Sequence, residues 1–318
     1  MMNTTERGIF EQFEYWEQAP APAALTDAAV THVFVGCGTS FYLAQALSAA
    51  MNAHGLQAIA VTGGEWWHRP QYYLARGKQA EVIVLSRSGE STETVRAAEA
   101  SQKAGHRVTA LTCAEGSSIT RFADTVLYAP THPMEGIVMT SSASLMLLMG
   151  LRLAGVAIGA DEIAAAKALL GQLDDAAPTL LQGRSHFVFL GTGPLQGVAQ
   201  EGALKLQEMS LTYTQAYPTA DYRHGPIALA DDRTVVVILY TPEGHPDDAA
   251  LAAELQGKGV RVLGLGGPGT VSLAVDGNGA ARGLVCLPAL QLLGERQAQQ
   301  KGLDSVSPRG LSKVVLLG

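Results

Sequence analysis

The chain of 318 residues contains little cysteine and little charge. Its three cysteines, Cys37, Cys113 and Cys286, cannot all pair and show no metal-ligand spacing, as is typical of a protein in a reducing cytoplasm. Charged residues make up 16% of the chain, the formal net charge is -7, and Lys and Arg form no cluster. Nucleic acids and anionic membranes attract a basic face. We therefore expect neither as a partner, and no metal.

A signal peptide and a long apolar run are also missing. The first residues, MMNTTERGIFEQFEYWEQ, include acidic side chains and no apolar core of signal-peptide length. The most apolar segment, GIVMTSSASLMLLMG, is rich in Ser and Thr and is shorter than the roughly 18 residues of a membrane span. These features predict a cytoplasmic protein in which this segment is a buried helix.

Short runs rich in Val, Ile and Leu alternate with Ala-rich helical stretches. Continuous apolar strands separated by helices indicate parallel sheets that helices cover on both faces. Between the fourth and fifth of these runs, the segment that begins at Gly159 predicts a helix and then a Pro-containing connector that ends near Arg184. The predicted strands are 32–36, 81–86, 107–112, 124–129, 186–191, 234–240, 261–266 and 284–290.

Two of these runs match each other. HVFVGCG and HFVFLGTG align with Gly36 over Gly191 and Gly38 over Gly193, and each precedes a predicted helix. The repeat predicts two similar three-layer α/β domains. The predicted organisation is an N-terminal segment at 1–24, a first domain at 25–165 and a second domain at 175–318 that includes the C-terminal tail.

Hydroxyl side chains follow three predicted strands of the first half, where a parallel sheet binds its ligands. The segments are GCGTSFY, SRSGES and VMTSSAS. Ser and Thr also cap helices, so each segment alone has a structural explanation, but three in one domain favour a binding site. GCGTSF lacks the third glycine of a dinucleotide fingerprint and no Walker sequence occurs, so a small phosphate monoester is favoured over a nucleotide.

The segment EGALKLQEMS places Glu201, Lys205 and Glu208 on one stripe of a helix. The alternative is a surface helix with an ordinary Glu-to-Lys pair. Further along, His224 precedes Gly225 and Pro226, which hold the chain in a turn. A carboxylate, a histidine and an amine are the groups that aldose-ketose chemistry requires.

Two lysines are candidates for the amine of this chemistry. Lys205 lies on the stripe with Glu208, and Lys313 lies in the C-terminal segment SPRGLSKVVLLG. Their spacing to the other groups does not choose between them.

Six segments occur in the order found in one family: GCGTSFYLA, LSRSGESTET, MEGIVMTSS, EGALKLQEMS, YRHGPIAL and KGLDSVSPRGLSKVV. On these segments the chain resembles the sugar isomerase (SIS) family, which includes the isomerase half of glucosamine-6-phosphate synthase, amino-sugar-phosphate deaminase/isomerases and ketosamine-6-phosphate deglycases. The resemblance implies two tandem SIS domains, each a five-stranded parallel sheet of flavodoxin-like, three-layer type. It also implies a homodimer whose subunits share a sugar-phosphate site without a cofactor.

The resemblance implies roles for single residues. Glu208 matches the carboxylate that transfers a proton between C1 and C2, and Glu201 and Lys205 match supporting charges. His224 matches a ring-opening histidine supplied by the neighbouring subunit, and Lys313 matches a lysine that bonds the open-chain ketose. The residues expected to bind the substrate are Gly38, Thr39, Ser40, Ser86, Arg87, Ser88, Ser91, Val138, Thr140 and Ser312.

The chain departs from the synthase at several positions. Arg87 stands where the synthase has Gln, Ser91 replaces Thr, and Ser142 replaces Lys in the segment after Glu135. Residue 2 is Met and not a nucleophilic Cys. We therefore expect no glutamine-dependent ammonia transfer within this chain.

Together these features predict a phosphosugar isomerase or amino-sugar-phosphate deaminase-isomerase that acts on a ketose or hexosamine 6-phosphate. One alternative is a ketosamine-6-phosphate deglycase, which could use the same Glu and His. Another is a noncatalytic phosphosugar sensor, which would keep the serine segments but need neither Glu208 nor His224.

Overall fold

The computed structural model describes residues 2–244, 246–277 and 279–317. The chain divides into two compact units, and each is built from discontinuous segments. The first-sheet unit comprises Gln12–Glu135, Ser141–Ile158 and Ser312–Gly318, and the second-sheet unit comprises Met1–Glu11, Gly136–Thr140 and Gly159–Leu311. The predicted domain boundaries stay a prediction.

Each unit contains a five-stranded sheet in which all strands are parallel. The strand orders are β2-β1-β3-β4-β5 and β10-β9-β8-β6-β7. In each sheet, the second strand along the chain is an edge strand next to the first, and the later strands follow on the other side of the first. This confirms the predicted pair of flavodoxin-like sheets. The strands are β1 (Thr31–Gly36), β2 (Ala58–Thr62), β3 (Ala80–Ser86), β4 (Arg107–Thr112), β5 (Thr125–Tyr128), β6 (His186–Gly191), β7 (Thr214–Pro218), β8 (Thr234–Leu239), β9 (Arg261–Leu265) and β10 (Val271–Leu273).

Helices cover the sheets. The strands β3 and β8 are buried along their whole lengths, as expected of inner strands with both faces covered. The helices are α1 (Thr4–Phe10), α2 (Phe13–Gln18), α3 (Thr39–Ala53), α4 (Gly63–His68), α5 (Thr92–Lys103), α6 (Ser141–Leu153), α7 (Ala160–Leu181), α8 (Pro194–Ser210), α9 (Pro246–Gly257) and α10 (Ala281–Gln300).

The helix α6 is the apolar segment that the sequence predicts to be a buried helix, and all but one of its residues are buried. In the part of the chain that the structure describes, no helix is long and apolar enough to cross a membrane.

The predicted strand at 284–290 is wrong, because these residues lie inside the helix α10. This helix packs against both α7 and α8 and is buried on nearly all sides. The segment 284–290 is apolar at every position, so it has no visible 3.6-residue period and resembles a buried strand. Pro288 lies within this helix, and because proline is disfavoured in helix interiors, it also favours the wrong prediction of a short strand.

The predicted connector before Arg184 is also wrong in part. The helix α7 continues through Pro178 to Leu181. Pro178 lies in the last turn, where the loss of one backbone hydrogen bond interrupts little of the helix. The strands β2, β7 and β10 have no predicted counterpart, since β2 and β7 alternate poorly and are only partly buried, and β10 has three residues.

The matching glycines of the two sheets adopt the same backbone conformation. Gly38, before α3, has φ 55° and ψ -125°, and Gly193, before α8, has φ 57° and ψ -129°. A Cβ atom on Gly36 would lie 2.5 Å from the carbonyl oxygen of Ser40, and one on Gly191 would lie 2.4 Å from that of Leu195. Both strand-to-helix turns therefore require glycine, which explains the repeat.

Candidate functional site

The Ser86–Ser88 loop follows the central strand β3 of the first-sheet unit. The Ser86 hydroxyl accepts a hydrogen bond from the backbone N–H of Gly89 (3.0 Å), and the Ser88 hydroxyl accepts one from that of Glu90 (3.2 Å). Gly89 has φ 65°, and a Cβ there would lie 2.0 Å from Ser117 Oγ. The loop is therefore a tight turn that only glycine fits, as in backbone cradles for anions.

The first turns of two helices border the carboxyl edge of the same sheet. Thr39 and Ser40 are each 5% exposed at the start of α3, where the preceding residue, Gly38, has no side chain to cap the helix. Ser91 precedes α5, and its side chain makes no capping hydrogen bond. The structural explanation for these hydroxyls, helix capping, therefore does not apply to Ser91.

Arg87 lies between the two serines of the loop and is 7% exposed. Its Nη2 atom donates a hydrogen bond to the backbone oxygen of Lys313 (3.1 Å), and its Nη1 atom lies 3.8 Å from Oε2 of Glu135. The Nζ atom of Lys313 in turn donates to the backbone oxygen of Glu135 (3.1 Å). Three residues far apart in sequence thus form one charged cluster in the first-sheet unit.

Glu135 is held in place by two further hydrogen bonds. Its Oε1 atom accepts from the backbone N–H of Ser142 (2.9 Å), at the start of α6, and its Oε2 atom accepts from the hydroxyl of Thr131 (3.0 Å). Its side chain is 1% exposed. A carboxylate at a helix N-terminus is stabilised by the free N–H groups and the helix dipole.

The C-terminal tail, residues 312–317, runs alongside the start of α5. The backbone N–H of Thr92 donates to the oxygen of Val315 (3.3 Å), and the N–H of Leu317 donates to Thr92 Oγ1 (3.0 Å). Ser312 is exposed, and its hydroxyl donates to the backbone oxygen of Val314 (3.0 Å). The tail brings Lys313 to the Ser86–Ser88 loop, whereas the Ser312 hydroxyl is engaged within the tail.

The charged stripe of α8 lies in the second-sheet unit. Glu201 and Lys205 are both fully buried, and Lys205 Nζ lies 3.6 Å from Glu201 Oε1 and in direct hydrogen-bond contact with Glu208 Oε2. The side chain of Glu208 is 20% exposed. The stripe is therefore not an ordinary surface pair: one buried cation bridges two carboxylates, and Glu208 is the member that reaches solvent.

His224 is exposed and follows a 3-10 turn at Ala220–Arg223. Its backbone N–H donates to the oxygen of Asp221 (2.9 Å), and the next residue, Gly225, has φ 119°. The structure thus displays the imidazole on the surface of the second-sheet unit.

Val138 and Thr140 also belong to the second-sheet unit, in the short segment Gly136–Thr140. They are 4% and 1% exposed. The backbone oxygen of Thr140 accepts a hydrogen bond from Nε2 of the buried Gln291 (2.9 Å), on α10. A Cβ on Gly8 would lie 2.8 Å from Thr140 Oγ1, so α1 packs tightly on this segment.

The sequence prediction missed Glu135 as a member of the site. The two contacts that join it to the charged cluster are with Arg87, 48 positions before it, and Lys313, 178 positions after it, so no local spacing reveals them. A faint signal was its place shortly before a hydroxyl-rich helix start, where a carboxylate can cap free N–H groups.

The cysteines are poor candidates for nucleophiles. Burial raises the pKa of the Cys37, Cys113 and Cys286 thiols, that of Cys286 to about 12. A raised pKa leaves little reactive thiolate near neutral pH. Among the described residues, no group of three or more His, Cys, Asp and Glu side chains is arranged to hold a metal ion.

Comparisons with known proteins identify the family of the chain. A model of the SIS domain family matches residues 24–154 and 180–276. Glutamine–fructose-6-phosphate aminotransferases (isomerizing) from Halobacterium salinarum and Xylella fastidiosa are 29% and 30% identical, over 88% and 94% of this chain. The alignments cover 51% and 55% of those proteins. The chain thus spans about half the length of these curated relatives.

Solved structures match over nearly the whole chain. The structure of glucosamine-6-phosphate deaminase from Thermotoga maritima has a TM-score of 0.86 and 28% identity, and the match covers 99% of this chain and 100% of that chain. Tagatose-6-phosphate ketose/aldose isomerase from Escherichia coli has a TM-score of 0.83 at 23% identity, over 96% and 95% of the two chains, which is a likeness of fold. Because the family model matches well over half of the chain, in two segments that contain the two sheets, the chain belongs to the SIS domain family.

Proposed function

We propose that the chain is a phosphosugar isomerase or amino-sugar-phosphate deaminase-isomerase that acts on a ketose or hexosamine 6-phosphate. Two kinds of finding support the proposal. The named relatives act on fructose 6-phosphate, glucosamine 6-phosphate and tagatose 6-phosphate, according to their names. The chain also carries a carboxylate, an imidazole and an amine at the positions that the family resemblance assigns to the chemistry.

The observation that carries the proposal is the Glu201–Lys205–Glu208 stripe. A lysine that is fully buried must be paired, and here it contacts two carboxylates. This arrangement fixes one oxygen of Glu208 while the side chain keeps a solvent-exposed part. A carboxylate that is oriented by a buried cation and accessible to a ligand suits proton transfer between adjacent carbons.

In the proposed mechanism, the Ser86–Ser88 loop and the uncapped starts of α3 and α5 bind the phosphate group through hydroxyl and backbone N–H donors. His224 opens the sugar ring by moving a proton to the ring oxygen. The Lys313 amine orients the carbonyl group, or condenses with its carbon to a Schiff base as water leaves, and water later hydrolyses that bond. Glu208 removes the proton from one of C1 and C2 and returns it to the other, through an enediol or enolamine. For a hexosamine phosphate, water then replaces the amine, and ammonia and a ketose phosphate leave.

We further propose that the active form is a homodimer. His224 is exposed in the isolated chain, and the family resemblance assigns this histidine to the site of the neighbouring subunit. A mixture of a Glu208→Gln subunit and a His224→Ala subunit would then regain up to a quarter of the wild-type activity if each site draws the two residues from different chains, as subunit mixing statistics require.

Proton exchange tests the proposed function. Glucosamine 6-phosphate, fructose 6-phosphate and tagatose 6-phosphate are each incubated with the protein in D₂O, and deuterium at C1 and C2 is followed by NMR. The wild type is expected to incorporate deuterium with at least one of them. Glu208→Gln is expected to lose about 10²- to 10⁴-fold of the rate while a thermal shift with the same sugar phosphate persists. Glu14→Gln, an exposed change on α2, is the matched control.

The outcomes separate the alternatives. Wild-type exchange rates in Glu208→Gln would contradict the assigned role. A thermal shift without exchange, across the whole panel, would indicate a noncatalytic sensor. If a 6-phosphorylated ketosamine is consumed with release of an amino acid and hexosamine phosphates release no ammonia, the protein is a deglycase.

A further inference from the structure

The C-terminal tail is fixed to the Ser86–Ser88 loop through two different parts of Lys313. Its backbone oxygen accepts a hydrogen bond from Arg87 Nη2 (3.1 Å), and its side-chain Nζ donates to the backbone oxygen of Glu135 (3.1 Å). The first contact holds the main chain, and the second holds only the amine. The amine can therefore exchange Glu135 for another acceptor without loss of the main-chain contact.

Arg87 is well fixed for this role. Its own backbone oxygen accepts from the N–H of Cys113 (3.1 Å), which joins the loop to the chain after β4. Its side chain is 7% exposed and lies 3.8 Å from the buried carboxylate of Glu135, which balances its charge. A guanidinium keeps its charge at any working pH and offers several N–H donors in a rigid plane. It can thus bind the tail and Glu135 at the same time.

We propose that Arg87 is a positioning residue that holds the main chain of Lys313 against the Ser86–Ser88 loop, so that the amine is presented to the carbonyl of a bound sugar phosphate. In the absence of substrate the amine stays on the backbone oxygen of Glu135. Arg87 acts through the tail, because the structure directs its Nη2 atom to the Lys313 backbone. For its effect on turnover, this inference rests on the proposed function.

The two possible roles of Arg87 differ in kinetics. A residue that contacts the phosphate in substrate and transition state alike raises KM when it is removed, whereas one that positions Lys313 for the reaction lowers kcat. Because a hydrogen bond from a charged donor is lost, we expect Arg87→Gln to lower kcat about 10- to 100-fold. We expect KM for the sugar phosphate to change by less than about threefold.

Hydrogen exchange of the tail provides a readout that does not depend on activity. The N–H of Leu317 donates to Thr92, so its exchange reports whether the tail stays in place. Mass spectrometry of the C-terminal peptide is expected to show exchange at least about tenfold faster in Arg87→Gln than in the wild type. The matched control is Arg107→Gln, an identical change at an exposed residue at the amino end of β4. It is expected to leave tail exchange and kcat unchanged.

A second variant controls for a loss of stability in Arg87→Gln. Arg87→Gln leaves the buried Glu135 without this cation, which can destabilise the unit. The double variant Arg87→Gln/Glu135→Gln removes both charges and retains a hydrogen-bonding side chain at each position. It must show the same faster exchange of the tail peptide and the same loss of kcat.

The outcomes distinguish this inference from the proposed function. Unchanged tail exchange in both variants overturns the positioning role, whatever happens to activity. A rise in KM with unchanged kcat overturns it as well and indicates phosphate contact. If the wild type turns over no sugar phosphate, the proposed function fails, and the exchange comparison alone then decides whether Arg87 holds the tail.

Discussion

At the scale of single residues, Lys205 illustrates what a sequence can and cannot predict. The spacings of four and three residues place it on one stripe with Glu201 and Glu208, but the same spacings occur on any surface helix. What buries the stripe is the close approach of α10. A Cβ on Gly294 would lie 3.0 Å from the backbone oxygen of Lys205, and one on Gly202 would lie 2.9 Å from Leu290. These pairings join distant segments, so local spacing does not reveal them.

The burial of Lys205 leads to a stability prediction. Lys205→Met is expected to lower the free energy of unfolding by about 3–5 kcal/mol, because it leaves the fully buried Glu201 without its cation. Urea denaturation measures the change. The control is Lys258→Met, since Lys258 forms an exposed pair with Glu254, four residues before it, and such pairs contribute about 0.3–0.5 kcal/mol.

The double variant Glu201→Gln/Lys205→Met should recover part of the lost stability, because it removes the unpaired buried charge. A single Lys205→Met variant that unfolds at the wild-type urea concentration would contradict the bridging role of this lysine.

At the scale of elements, the strand-glycine-helix turn is the feature that the sequence predicts best. The matching GCG and GTG segments indicate a repeat, and the structure confirms it with nearly equal dihedral angles at Gly38 and Gly193. A glycine at this position indicates a backbone with positive φ, which other residue types rarely adopt. The helix α10 shows the opposite case: its uniformly apolar segment at 284–290 has no period, so the sequence does not distinguish a buried strand from a helix that packs against α7 and α8.

Substitution of the turn glycines tests this interpretation. Gly38→Ala and Gly193→Ala are each expected to cost about 1–3 kcal/mol of unfolding free energy, because a Cβ disfavours φ near 55° combined with ψ near -125°. Thermal unfolding measures the loss. Gly171→Ala is the control, since it lies exposed within α7 with no atom within 4 Å of a new Cβ, and a gain of about 0.5–1 kcal/mol is expected. Equal stability of all three variants would contradict the requirement for glycine.

At the scale of the whole molecule, neither compact unit is a single continuous stretch of the chain. The N-terminal helix α1 and the segment Gly136–Thr140 belong to the second-sheet unit, and the tail belongs to the first-sheet unit. Apolar periodicity predicts the two sheets, because each is built from local strand-helix repeats. It does not predict which unit these three segments join, because they are attached by long-range contacts such as the hydrogen bonds from Arg87 to Lys313 and from Leu317 to Thr92.

The tail allows a test on the full chain. Deletion of residues 311–318 is expected to abolish turnover and to change the melting temperature by only a few degrees, since the described tail residues are exposed except for the half-buried Val314. Turnover and thermal unfolding are measured on the same preparation. Lys313→Ala in the full-length chain should reproduce the loss of turnover. Activity in the truncated protein would show that Lys313 is dispensable.

The helix α1, the segment Gly136–Thr140 and the C-terminal tail constrain how this chain can be recombined with its relatives. In a chimera with one crossover near residue 158, the C-terminal tail comes from one parent and the Ser86–Ser88 loop from the other. The helix α1 likewise packs on helices that come from the other parent. Such a hybrid contains mismatched contacts between Arg87 and Lys313 and between Glu6, on α1, and Arg296, on α10. If all segments of one compact unit are taken from the same parent, each of these contacts joins residues of one parent.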